Sequence, residues 1–222
     1  MRTQRGLSIV ELLVGVAIAL FVAAVGATLL ASHLRENRSL LLEARLMQDL
    51  RTAADLVTRD LRRAGYWGGA SDGVWTAGAG SVATNPYVAV APATAASDAV
   101  SFRYSRDTAE NNLVDSNEQF GYRLRSGAIE MQLGAGNWQA LTDSGTLVVT
   151  EFSVTPTVQE IDLQAFCATP CPTGSSVCPP RQQVRSLALA ISGRLVGDAR
   201  ATRSVRATVR LRNDPVIGAC AG

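Results

Sequence analysis

Apolar positions dominate the start of the chain and then recur in two different rhythms, which together predict the architecture. From Leu12 to Ala31 twenty residues pass without a charge. As a helix that run spans roughly 30 Å, the thickness of a bilayer hydrocarbon core, so the segment is expected to cross a membrane. Beyond Ala31 the chain turns polar without a turn signal, and from Leu42 apolar or small residues recur at Leu46, Leu50, Ala53, Val57, Leu61 and Ala64. Steps of three and four place these residues on one helical face. Arg45, Asp49, Arg51, Asp55, Arg59 and Arg62 lie between them, with Asp55 one turn before Arg59 as a favourable pair. Arg59, Arg62 and Arg63 suit the negative end of a helix dipole, and Gly65 is a natural stop. Helix is predicted from Ser8 to Ala64, either as one continuous helix or as a membrane anchor followed by a separate core helix, and Gly15 and Gly26 allow bending or close packing.

Gly68 to Pro92, rich in Gly, Ala, Ser and Thr, reads as a long loop region with Trp75 and Tyr87 as anchors. Strand patterns follow at Ala99–Tyr104, Phe120–Arg125, Ala128–Leu133, Leu147–Val154, Val184–Leu195 and Ser204–Arg212. Ser126 and Gly127 join two of them as a hairpin. In the last run Val205, Ala207, Val209 and Leu211 alternate with Arg206, Thr208, Arg210 and Arg212, giving one core face and one basic face. An antiparallel sheet packed on the amphipathic helix makes an α+β head.

Charge refines this picture. All 21 basic residues are arginine, against 19 acidic ones, and the near balance gives no case for a nucleic-acid partner. The distribution is uneven: Asp98 to Asp162 is mostly acidic, whereas Arg181 to Arg212 contains eight arginines and only Asp198. The two regions complement each other. A partner surface at Arg206, Arg210 and Arg212 competes with a solvent face balanced by the acidic middle of the chain, and the solvent face is the expected reading.

Glu11 is the exception in the apolar start, and an ionised carboxylate there costs several kcal/mol in hydrocarbon. An ordinary secretory signal would use Arg2 and Arg5 as its positive region and the small residues near Ala23, Ala27 and Ala31 for cleavage. Its apolar core is shorter, about 7 to 15 residues, and Glu11 falls where that core should begin. Arg5, Gly6, an apolar residue, glutamate at the fifth position after Gly6 and an unbroken apolar helix together resemble the class III signal of type IV prepilins and pseudopilins. That resemblance implies cleavage between Gly6 and Leu7 by a prepilin peptidase, and methylation of Leu7, although phenylalanine or methionine is commoner there. The chain would then comprise a leader (1–6), a transmembrane and assembly helix (7–31), an amphipathic helix (32–64) and a β-rich head (65–222). Physically, the new amine of one subunit can pair with Glu11 of another, since a paired charge is tolerated in an apolar medium where a lone one is not.

The run RDLRRAGYWGG, Arg59 to Gly69, resembles the segment that closes the N-terminal helix in the PilW family of minor pilins, and Leu211, Arg212 and Asn213 resemble its closing strand. Tyr66 and Trp67 are expected to pack rather than bind. The family implies a single-pass inner-membrane protein with a periplasmic head, held by lipid before assembly. Its implied partners are prepilin peptidase, the inner-membrane assembly platform, other minor pilins and the major pilin. The implied role is priming and tip formation in a type IV pilus, supporting twitching motility and adhesion. A minor pseudopilin of a type II secretion system shares the signal and architecture, and an anchored periplasmic binding domain is the alternative if Gly6 is never cut.

Candidate chemistry is sparse. His33 is the single histidine and lies just past the membrane run, so histidine-based nucleophilic and metal arrangements are excluded and no enzyme activity or cofactor is expected. No GxxxxGK[ST] phosphate loop exists. Cys167, Cys171, Cys178 and Cys220 are even in number and lack CxxC spacing, which favours disulfides over zinc. Of three connectivities, Cys167 with Cys171 and Cys178 with Cys220 is the expected one. Pro170, Pro172, Pro179 and Pro180 stiffen that loop. Asp107, Glu110, Asp115 and Glu118, with Asn111, Asn112 and Asn117, offer oxygen ligands for calcium but lack the EF-hand glycine and spacing, so a solvated acidic loop is expected and no metal.

Overall fold

The computed structural model describes residues 8–73 and 83–221. The chain divides into two units, residues 1–45 and 46–222. An α-helix, α1, covers Ile9–Leu61. In the first unit the large apolar side chains from Ile9 to Leu41 are all exposed, and the helix is long and apolar enough to cross a membrane.

In the second unit Leu46, Leu50, Ala53, Ala54, Val57 and Leu61 of α1 are buried, as the three-and-four spacing requires, while Leu42, in the first unit, stays exposed. Full burial of each large side chain contributes about 1.5–3 kcal/mol. The helix stops three residues before the predicted Ala64. Arg63 and Ala64 donate to carbonyls three residues back, tightening the end, and Gly65 follows at φ +75°, a conformation that favours glycine. Arg59 meets Asp60, at 3.9 Å, instead of the expected Asp55, and with Arg59 well exposed this pair contributes little.

Among the described residues nine strands form two antiparallel sheets. The first runs β1 (Val90–Ala91), β2 (Ala99–Arg103), β3 (Gln119–Arg125), β4 (Ala128–Leu133) and β5 (Trp138–Ala140), each pairing with the next. Ser126 and Gly127, at φ 51° and 76°, build the predicted β3–β4 hairpin, because two left-handed residues match the twist of the flanking strands. The second sheet is β6 (Leu147–Asp162), β7 (Arg181–Leu195) and β8 (Thr202–Arg210), with β9 (Val216–Ile217) also pairing β7. Strands β6 and β7 are longer than their apolar patterns predict, since their paired ends beyond Val154 and before Leu187 lie outside the core and are carried by the ladder. The Ser97–Val154 bridge links the first sheet's approach to β6.

One core serves both sheets and the helix, with Phe102, Tyr104, Phe120, Tyr122 and Ile129 from the first sheet, Val149, Phe152, Val154, Leu187, Leu189, Ile191 and Val209 from the second, and the buried α1 face. The long N-terminal helix and antiparallel sheets are the α+β pilin-like architecture expected from the sequence. The tail closes differently: Leu211 and Arg212 lie past β8, and β9 is the last strand.

Candidate assembly and recognition surfaces

Glu11 occupies the first turn of α1 and is exposed among exposed apolar neighbours; Gly6 and Leu7 lie outside the described residues. His33 is likewise exposed on α1. Among the described residues nothing shields Glu11, so its charge is compensated by a group outside them or by solvent.

The closing end of α1 is held by Asn85, Arg185 and Asn213, of which only Asn213 stands out in the sequence, and for the closing strand rather than for this role. Asn213 donates to the Ala64 carbonyl at 3.0 Å and Asn85 to the Gly65 carbonyl at 2.9 Å, satisfying acceptors that a helix end leaves over. Arg185 reaches the Val88 and Asn213 carbonyls at 2.7 and 3.1 Å, and burial lowers its pKa. No local sequence signal marks these contacts, since the acceptors lie 20 to 149 residues away along the chain. Trp67 packs as expected, with Nε1 donating to Asn112 Oδ1 at 2.7 Å, whereas Tyr66 points outward and is 53% exposed. The predicted anchor Tyr87 is fully buried; Trp75 lies outside the described residues.

The acidic loop is solvated in part, as expected, with Asn111, Asn112, Asp115 and Asn117 exposed, but one of its carboxylates is not. Glu118 is completely buried: Oε1 accepts from the Arg106 amide at 2.7 Å and Oε2 from the Asp115 amide at 2.9 Å. Glu110 accepts from the Gly68 and Asn112 amides at 3.0 and 2.9 Å, and the Tyr87 hydroxyl shares its proton between Glu110 Oε1 at 3.0 Å and the Leu113 carbonyl at 2.9 Å. Burial would raise the Glu110 pKa, but these hydrogen bonds together with Ser105 outweigh it and lower the pKa. Burial, followed by Glu110 and Glu118, raises the Tyr87 phenol well above its usual range. Asp107, Asp115 and Glu118 bring carboxylate oxygens within 4.8 Å of one another, and burial plus the Glu118 charge raise the Asp107 pKa. The carboxylates therefore act first as acceptors that fold the loop, a role that only the backbone path makes visible.

The cysteines pair as Cys167–Cys220 and Cys171–Cys178, which corrects the expected connectivity. Pairing of β9 with the start of β7 carries the tail past the 163–180 loop, and Ala219 donates to the Val177 carbonyl, so Cys220 reaches Cys167 with Cα atoms 5.4 Å apart. The turn from Pro172 to Ser175 folds Cys171 back onto Cys178. Phe166 and Val177 on this stapled loop are 83% and 56% exposed.

On β8 the predicted alternation holds, with Arg206 and Arg210 on the exposed side and Val209 in the core. Arg210 pairs with Asp214 at 2.7 Å, whose side chain is nearly buried. Arg206 and Arg212 make no hydrogen bond or ion pair with another described residue.

Among curated proteins and among solved structures nothing matches this chain. A family model described as prepilin peptidase-dependent protein B matches residues 39–211, well over half of its 222 residues. The long apolar helix, the antiparallel sheets and that match together place the chain in the family of prepilin peptidase-dependent protein B, as a pilin-like protein.

Proposed function

We propose that this chain is a minor pilin of the PilW type, cut between Gly6 and Leu7 by prepilin peptidase, methylated on Leu7, and inserted in small amounts into a type IV pilus. Before assembly the apolar part of α1 holds it in the inner membrane with its head in the periplasm. The assembly platform then extracts it. With other minor pilins it primes the filament and remains at the tip, above the major pilin, in support of twitching motility and adhesion. It acts as a structural subunit and catalyses no reaction.

One observation carries the reading. The signal-like residues Arg5 to Ala31 and the family match over residues 39–211 do not overlap, and both point to the same class of protein. In this scheme Glu11 provides register: its carboxylate meets the amine of a neighbouring Leu7 inside the apolar bundle, where an unpaired charge would be costly.

The test is the mass of the N-terminal peptide from membranes with and without prepilin peptidase. A peptide beginning at methylated Leu7, present only with the peptidase, is expected; an intact Met1 or a start beyond Ala23 would refute the proposal. Deletion of the gene should then reduce surface pili. Intact pili with failed exoprotein secretion would assign the chain to a type II secretion pseudopilus instead. Glu11→Ala should leave insertion and cleavage intact while reducing filament incorporation, measured by immunoblot of sheared pili.

A further inference from the structure

Strand β8 ends the path of the second sheet, and its outer edge pairs with no strand among the described residues. The direction of its backbone groups follows from the flanking bonds. The Leu211 amide donates to the Arg185 carbonyl, and the Leu195 amide to the Ala201 carbonyl, so odd-numbered residues face β7. By alternation Ser204, Arg206, Thr208 and Arg210 direct N–H and C=O groups away from the sheet. The side chains of these four residues are exposed, and on the opposite face Val205 and Ala207 are only partly buried, as at an edge that nothing covers.

A nine-residue edge without a bulge or a proline is an open template for another strand. Its charge selects the occupant. Residues 194 to 212 carry Arg194, Arg200, Arg203, Arg206, Arg210 and Arg212 against Asp198 alone. Arg210 is already held by Asp214, which leaves Arg206 and Arg212 as unpaired guanidinium groups flanking it on the exposed side. Arginines on an edge also serve to prevent unwanted pairing, and such an edge would bind nothing.

We infer that the β8 edge is a docking site for an extended acidic segment of another protein, which adds as a strand beside Ser204–Arg210 and places carboxylates against Arg206 and Arg212. Main-chain hydrogen bonds would supply the affinity and the arginines the choice of partner. This goes beyond the proposed pilus role and replaces the expected solvent face of β8, and it does not need the leader to be cleaved.

Full-length, unprocessed chain in neutral detergent micelles, titrated into the fluorescein-labelled, capped peptide TEVEVET, reads the edge by fluorescence anisotropy. Failure of the processing reading leaves this result unaffected. Saturable binding that weakens with added salt is expected, with no binding of the lysine counterpart TKVKVKT. Thr208→Pro removes one outward N–H without touching the β7 ladder and should weaken binding about tenfold with the near-ultraviolet circular dichroism retained. Absence of binding by the acidic peptide, or equal binding by Thr208→Pro, would overturn the proposal. Should Thr208→Pro not fold, the Arg206→Glu, Arg212→Glu double variant decides: it should switch preference to the lysine peptide, and an unchanged preference would overturn the proposal as well.

Discussion

Tyr122 ties the first sheet to the helix, and its hydroxyl can be removed without changing the ring. The side chain is 1% exposed and donates to Asp60 Oδ2 at 2.6 Å, while its ring sits 6.4 Å from that of Phe102. Tyr122→Phe keeps the ring contacts and deletes one hydrogen bond to a charged acceptor, a loss of roughly 1.5–3 kcal/mol. Asp60 is 18% exposed, so water can partly replace the lost donor, and the lower half of that range, about 1.5–2 kcal/mol, is expected. For a unit of this size that corresponds to a fall in Tm of roughly 3–8 °C. The assay is urea unfolding of the full chain in detergent, followed by near-ultraviolet circular dichroism. Asp60→Ala, alone and combined with Tyr122→Phe, completes a cycle whose coupling should exceed about 1 kcal/mol. Burial and then the hydrogen bond to Asp60 raise the Tyr122 pKa, as burial does for Tyr104. Stability contributed by a raised phenol is complete below the ordinary tyrosine value, about 10, and falls as pH rises past it, so Tyr122→Phe should shrink that alkaline loss without abolishing it. A cost under about 0.5 kcal/mol with no coupling would mean that the Tyr122–Asp60 hydrogen bond adds nothing to stability.

Glu118→Gln replaces an acceptor of two amides by a group with one acceptor and one donor, so it should cost about 2–3 kcal/mol and speed hydrogen exchange at the Arg106 and Asp115 amides. Glu110, with its lowered pKa, contributes stability that is complete above the ordinary glutamate value and lost as pH falls toward the lowered one; Glu110→Gln should flatten acid unfolding in that window. Asp107 has the opposite sign, since its raised pKa makes its contribution fade as pH rises above the ordinary aspartate value, so Asp107→Asn should gain stability at neutral pH relative to acid. A non-reducing peptide map should recover Cys167 with Cys220 and Cys171 with Cys178. Replacing the first pair by serine should cost about 1–2 kcal/mol more than replacing the second in urea melts, because it closes the longer loop.

Local periodicity carried most of the architecture. The apolar run and the spacing from Leu46 to Leu61 determined the helix and the face it buries, because helical geometry converts spacing into direction without any knowledge of neighbours. The β3–β4 hairpin was legible for the same reason, since Ser126 and Gly127 sit between two strand patterns and tolerate the turn. What distant parts of the chain do to one another was hidden. Asn85, Arg185 and Asn213 meet the helix end only through the fold, and Cys220 finds Cys167 only because β9 pairs with β7. Glu118, which reads as solvated from its polar surroundings, is buried because the loop wraps it and supplies two amides. Residue pattern alone therefore determined the helix, six of the nine described strands and their buried faces. Tertiary structure alone decided the disulfide pairing, the carboxylate clamps and which strand edge stays open, because each depends on atoms brought together across many residues of intervening chain.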